Sequence, residues 1–112
     1  MASSSNPGRS VIVAYRPKPG QEQALRALVE RHQPLLAAQH LATERPAWIL
    51  CAADGTIIEI FEWRCADAIA AAHGNAAVQS LWEEFAAACD YVPLGSIAES
   101  ARLFADFATL NT

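Results

Sequence analysis

The clearest hydrophobic pattern in the chain lies in Pro46–Trp63, where the apolar runs PAWILCAA and TIIEIFEW flank Asp54-Gly55. An Asp-Gly pair between two runs of β-forming residues is the strongest short-range signal for a hairpin with a two-residue loop. The pattern therefore predicts two antiparallel strands here. They form the centre around which the rest of the chain is organised.

The two-residue loop also predicts which side chains share a face of the hairpin, since it pairs Leu50 with Glu59 and Trp48 with Phe61. One face then carries Trp48, Leu50, Ala52, Ile57, Glu59 and Phe61. The other carries Ala47, Ile49, Cys51, Ile58, Ile60 and Glu62. Both faces are mainly apolar, whereas an antiparallel sheet with helices on one side usually keeps its other face polar. We therefore expect a second copy of the chain to cover the second face, in a homodimer with sheet packed on sheet.

The remaining periodicities predict a single domain over residues 10–112, preceded by a flexible tail at residues 1–9 that is rich in small and polar residues. Further strands are predicted at 10–16, 90–95 and 101–110, and helices at 21–40, 65–73 and 76–89. Pro34 is expected to kink or split the first helix. This order is that of an α+β, ferredoxin-like split βαβ fold, with an antiparallel sheet and its helices on one face.

Charge and composition exclude several classes of partner. The formal net charge is −4 and there is no basic cluster, so nucleic acid and anionic membrane surfaces are not expected to bind. No apolar stretch approaches the roughly 20 residues that span a bilayer, and the first ten residues lack the apolar core of a secretory signal. The three cysteines form no C-x-x-C motif, which favours reduced thiols and a cytoplasmic protein. The three histidines are scattered, so no metal site is predicted.

Three segments of the chain resemble the antibiotic-biosynthesis-monooxygenase-like family of the dimeric α/β-barrel superfamily. They are the first strand with its Pro-Gly turn (VIVAYRPKPGQ), the hairpin (ILCAADGTIIEIFEW), and the helix after Glu62-Trp63. The later segment YVPLGSIAESARLFADF suits the extra strand of such proteins, so the resemblance spans Ser10–Leu110. It implies a ferredoxin-like subunit whose dimer closes an α/β barrel.

The resemblance also implies a choice of activities, since the family includes cofactor-independent monooxygenases acting on polycyclic phenols as well as haem-degrading members. The haem degraders use an Asn on the first strand, then a Trp and a His in the second helical region. The matching positions of this chain hold Val13, Ala72 and Trp82. Haem degradation is therefore disfavoured, and no cofactor is expected.

Three titratable side chains are candidates for proton transfer in a cavity between sheet and helices: Glu59, on an apolar strand face, His32, on the apolar stripe of the first helix, and His73, near the end of the short helix. Each also has a structural interpretation. Glu59 is then paired with an arginine near the dimer interface, His32 with a carbonyl freed by Pro34, and His73 with a carbonyl at the end of its helix.

Four aromatic residues are predicted to line a pocket for a small hydrophobic or aromatic molecule: Tyr15, Trp48, Trp63 and Trp82. Two functions remain open. The first is a cofactor-independent oxygenase acting on a phenolic or quinol-like compound, and the second is a non-catalytic dimeric ligand-binding or accessory module. The enzyme requires at least one of the three titratable groups to face a cavity of a few hundred Å³ without a protein partner.

Overall fold

Five strands and three α-helices make up residues 7–111, the part of the chain that the computed structural model describes. The strands are β1 (Arg9–Pro17), β2 (Trp48–Cys51), β3 (Ile57–Trp63), β4 (Cys89–Val92) and β5 (Ala108–Thr109). The helices are α1 (Glu22–Ala38), α2 (Ala66–His73) and α3 (Ala76–Ala88), and two short 3-10 turns follow at Leu94–Ser96 and Ala98–Ala101. The α+β class is thereby confirmed. Of the predicted tail, residues 1–6 lie outside the described residues, and Arg9 already belongs to β1.

The strands form one antiparallel sheet in the order β4-β1-β3-β2-β5, so β3 lies at its centre. The three helices pack on one face of it. Buried residues of α1 and α3 such as Leu25, Leu28 and Phe85 contact Tyr15 and Ile57 on this face, and the alanines of α2 contact the end of β3. We call this the helix face and the opposite side the open face.

Local sequence signals account for the helix boundaries. Helix α3 begins after Asn75, whose side chain accepts a hydrogen bond from the backbone N–H of Val78 at 3.1 Å, which is the usual contact of an N-cap residue. Helix α1 continues without interruption through Pro34, so the expected split does not occur. None of the helices among the described residues is long and apolar enough to cross a membrane.

The register predicted for the hairpin is wrong by one residue. The backbone N–H of Ala52 donates to the carbonyl of Thr56 at 2.8 Å, so the loop has three residues and ends at Gly55, whose φ is +94°. A three-residue loop that ends on a left-handed glycine is the next most common hairpin connection after the two-residue turn. Ile49 therefore faces Glu59, and Trp48 lies on the face opposite Glu59.

The open face divides into a covered row and a bare row of side chains. The covered row is Ala14, Ile58 and Leu50 on β1, β3 and β2, and it packs against Ile97 and Phe107 of the segment that follows β4. The expectation that only a second copy of the chain could cover this face is therefore wrong for this row.

The neighbouring row, Ile12, Ile60 and Trp48, is exposed at its two ends: Ile12 is 49% exposed and Trp48 61%, whereas Ile60 between them is half-buried and packs against the covered row. We call these three residues the bare row. They stand on β1, β3 and β2 and form one continuous apolar strip across the middle of the sheet.

The strand predicted at residues 101–110 is also wrong for most of its length. Only Ala108–Thr109 pair, and they do so with Leu50 and Cys51 at the end of β2. Strand β2 has only four residues, so residues 101–107 have no strand of the described chain beside them with which to pair. Leu103 and Phe104 are 98% and 90% exposed there.

Candidate functional site

A cavity of about 300 Å³ lies on the helix face, among β1, β3, β4 and all three helices. Its wall is almost entirely apolar and aromatic. The lining residues are Val11, Val13, Tyr15, His32, Phe61, Trp63, His73, Trp82, Phe85 and Tyr91. A concave, mainly apolar site with a few polar groups is typical of small-molecule binding.

Strand alternation explains why these residues meet. On β1 the odd-numbered positions point to the helix face, and Tyr15 lies opposite Tyr91 of β4. On β3 the same alternation turns Glu59 and Phe61 toward the helices. Helix α1 contributes His32 from its apolar stripe, and helix α3 contributes Trp82.

The polar centre of the site is Glu59, which is fully buried in the middle of the central strand. Its Oε1 accepts a hydrogen bond from the Tyr15 hydroxyl at 2.6 Å and lies 2.8 Å from Nδ1 of His32. Neither an arginine nor a freed carbonyl is the partner, so both structural interpretations stated for Glu59 and His32 are wrong in their detail. Glu59 itself does not line the cavity; it lies behind Tyr15 and His32.

The partners of His32 determine where its ring carries a proton. The indole N–H of Trp82 donates to Nε2 of His32 at 2.9 Å, and an indole N–H has no acceptor capacity. Nε2 is therefore unprotonated, and the ring proton lies on Nδ1, from which it is donated to Glu59. A carboxylate that holds a histidine in one tautomer is the arrangement that prepares an imidazole to accept a proton at its other nitrogen.

Two further features bear on the chemistry of this group. Burial and the neighbouring Glu59 carboxylate raise the pKa of Tyr15 far above its ordinary value, so the phenol remains a hydrogen-bond donor. Oε2 of Glu59 is buried and has no hydrogen-bond partner within residues 7–111. Buried polar atoms nearly always have partners, so this exception calls for an explanation such as a catalytic role or a bound water.

His73 occupies a different position, at the exposed edge of the cavity. Its ring contacts that of Trp82 edge-on, with 5.2 Å between the ring centroids. Among the described residues its ring has no hydrogen-bond partner; Gln79 donates instead to its backbone carbonyl. His73 is thus the one predicted proton-transfer residue that meets the stated requirement of facing the cavity without a protein partner.

The structure brings together most of the predicted residues and separates one of them. Tyr15, His32, Trp63, His73 and Trp82 line the cavity. Trp48 does not, because the shifted register places it in the bare row of the open face.

Sequence reasoning missed Tyr91 as a cavity residue. The sequence predicted an extended segment after α3, which contains Tyr91. Only the pairing of β4 with β1 shows that Tyr91 lies beside Tyr15. The rings of Tyr15 and Tyr91 lie 5.6 Å apart, centroid to centroid.

Within the described residues, no three His, Cys, Asp or Glu side chains are grouped so as to hold a metal ion. No family model, curated protein or solved structure matches this chain.

Proposed function

We propose that the protein is a small cofactor-independent oxygenase that acts on a phenolic or quinol-like compound bound between sheet and helices. The observation that carries this proposal is His32, which lies in the wall of an aromatic cavity and is held by a fully buried carboxylate. A buried acid–base pair at such a cavity is a recognised mark of a catalytic site.

The size of the cavity suits a molecule of one to three fused rings. About 300 Å³ corresponds to the volume of about ten water molecules. Its aromatic wall favours a flat apolar ring by stacking and edge-on contact. His32 and His73 supply polar groups at two points of the wall, one deep and one at the edge.

The proposed reaction requires proton removal and molecular oxygen. A histidine removes a proton from the substrate, and the resulting electron-rich anion gives its electrons to O2. For an anthrone-like substrate, a CH2 group and O2 yield a carbonyl group and water, with a hydroperoxide as the intermediate that loses water. Carbon is oxidised and oxygen is reduced, so no further redox partner is required.

Each polar residue then has a distinct role. His32 is the base, and Glu59 stabilises the imidazolium that forms when His32 takes up the proton. Tyr15 holds Glu59 in place through its hydroxyl. His73 is a second proton acceptor at the cavity edge.

The proposal includes an architecture. The strand order β4-β1-β3-β2 within the sheet supports a ferredoxin-like fold, and the bare row supports a homodimer with sheet packed on sheet. Both agree with the resemblance to the antibiotic-biosynthesis-monooxygenase-like family. The three free thiols support a reducing compartment such as the cytoplasm.

A non-catalytic ligand-binding module is the second candidate, and one observation favours it. Both ring nitrogens of His32 are engaged by protein partners, Glu59 and Trp82. In this arrangement the deeper histidine has no free lone pair for a substrate. The cavity would then only bind an aromatic molecule.

Oxygen consumption distinguishes the two functions. The protein is mixed with a panel of quinols and anthrone-like phenols, and O2 is followed with an electrode. We expect turnover that falls by about 10²-fold or more in His32→Gln and Glu59→Gln, because general base catalysis contributes that much. The matched control is His40→Asn, since His40 is exposed and lies outside the cavity. Binding of the panel without O2 consumption would establish the module instead.

A further inference from the structure

We propose that Trp82 is a competing donor: its indole N–H occupies the position on His32 that the hydroxyl of a bound phenol takes. The ligand class is thereby a neutral aromatic compound with one hydroxyl group that donates to Nε2 of His32. This inference rests on the proposed function for the identity of the ligand, but it concerns binding and does not require turnover.

The geometry around His32 leaves one point of attachment for a ligand. The His32 side chain is 5% exposed, and its Nδ1 is held by Glu59 at 2.8 Å. Nε2 offers a single lone pair in the plane of the ring, and the Trp82 N–H fills it at 2.9 Å. A ligand that hydrogen-bonds to His32 must therefore displace the indole.

Trp82 is placed so that this displacement is feasible. It is only half-buried, whereas Trp63, on the same cavity wall, is 6% exposed. The Trp82 ring stands between the buried His32 and the exposed His73, with ring centroids 6.3 Å and 5.2 Å away. Rotation of the side chain toward the exposed edge, with the exposed His73 ring moving aside, would open Nε2 to the cavity without moving the helix.

The same geometry predicts which molecules are rejected. A hydrocarbon has no donor to replace the indole N–H, so it gains nothing from displacing Trp82. An anion is disfavoured because the Glu59 carboxylate lies directly behind His32 and, among residues 7–111, no lysine or arginine lines the cavity. A neutral hydroxyl on an aromatic ring supplies the hydrogen-bond donor and carries no negative charge.

The exchange also explains how a fully engaged His32 can act as a base. Once the phenol replaces the indole, its O–H bond breaks and an N–H bond forms at Nε2. The electron pair remains on the phenolate oxygen. The imidazolium is paired with Glu59, so the step creates no unpaired charge on the protein side.

The test compares 1-naphthol with 1-methylnaphthalene, which has the same shape but no donor. Affinities of both are measured by equilibrium dialysis for wild type, Trp82→Phe and the matched control Trp48→Phe, whose indole lies on the open face. Trp82→Phe enlarges the cavity for both compounds alike, so the ratio of their affinities is the informative quantity. We expect this ratio to rise roughly three- to tenfold in Trp82→Phe, the equivalent of one hydrogen bond, and to stay constant in Trp48→Phe.

A second measurement uses the wild-type protein alone. The indole N–H signals of the three tryptophans are followed by ¹H–¹⁵N NMR, with Trp82 assigned by its loss in Trp82→Phe. We expect 1-naphthol to speed the exchange of the Trp82 N–H with water, because the displaced indole loses its acceptor on His32, and 1-methylnaphthalene to leave this exchange slow. An unchanged affinity ratio, an equal acceleration with both compounds, or no binding of either would each overturn the inference.

These outcomes are separable from those of the oxygenase assay. Selective displacement of Trp82 without O2 consumption would support the proposed binding site and contradict the proposed reaction. Turnover with an unchanged affinity ratio would support the proposed reaction and contradict the proposed role of Trp82.

Discussion

At the scale of single residues, the central feature of this protein is the carboxylate of Glu59, whose burial is thermodynamically unfavourable. Glu59 is fully buried on the central strand, and one of its oxygens has no partner among residues 7–111. Burying an ionisable group is unfavourable unless its hydrogen bonds are satisfied. The donors on its other oxygen, Tyr15 and His32, offset part of this, and the remainder is a loss of stability.

The raised pKa of Tyr15 makes stability depend on pH in the alkaline range. Below about pH 10 the phenol is protonated in both the folded and the unfolded chain. Above it the unfolded chain releases the proton while the folded chain retains it, so the free energy of unfolding falls, by up to about 1.4 kcal/mol per pH unit for this group. Urea unfolding at pH 8 to 11 measures the slope.

We expect Tyr15→Phe to remove the part of this slope that belongs to Tyr15. The slope that remains includes Cys89, because burial raises the pKa of its thiol to about 11. An identical slope in the variant and the wild type would contradict the assignment.

At the scale of elements, the hairpin determines which residues reach the site. Its three-residue loop ends on Gly55 with φ +94°, and the Asp54 side chain accepts from the N–H of Thr56 at 2.9 Å. A two-residue loop would pair the strands one position further along and bring Trp48 to the helix face. One loop residue therefore decides whether Trp48 lines the cavity or the open face.

Gly55→Ala tests this conformation. The left-handed backbone disfavours a Cβ, and no heavy atom of the described part of the chain lies within 4 Å of where it would be. The whole effect is therefore backbone strain of about 1–2 kcal/mol in the free energy of unfolding. Gly95→Ala is the matched control, since its Cβ also meets nothing within 4 Å and its φ is not positive. Equal stability of the two variants in urea titrations would argue against the three-residue loop.

The sequence predicts the features that depend on neighbouring residues and does not predict those that depend on contacts between distant segments. Helices α1 and α3 were predicted because periodicity acts within a few residues. The hairpin register was not, because Asp54-Gly55 suits loops of two and of three residues. Tyr91 and the contact between Trp82 and His32 were missed because they depend on strand pairing and on how α3 lies against α1.

At the scale of the whole molecule, the open face is covered only in part. The segment after β4 places Ile97 over the row of Ala14 and Ile58, and Glu99 accepts from the backbone N–H of Ala53 at 2.8 Å, which ties this segment to the hairpin. The bare row remains, together with the exposed Leu103 and Phe104. Exposed apolar surface of this extent, in one strip across three strands, is typical of an interaction site.

The proposed homodimer predicts that Trp48→Asp dissociates the protein into monomers. Tryptophan is frequent among the interface residues that dominate affinity, with losses of 2 kcal/mol or more on truncation, so we expect the dimer to weaken at least about thirtyfold. Ile69→Asp is the control, because Ile69 is an exposed apolar residue of α2 on the helix side. Light scattering over a concentration series measures both. A wild-type monomer at high concentration would disprove the dimer.

The strand order also has a consequence for how the chain folds as it is synthesised. Both outer strands, β4 and β5, follow α3 in the sequence. A nascent chain that ends at α3 therefore has β1, β3 and β2 with two unpaired edges and an uncovered row on the open face. Such edges readily pair with other chains. The residues that follow α3 thus both complete the sheet and cover part of the surface through which incomplete chains would aggregate.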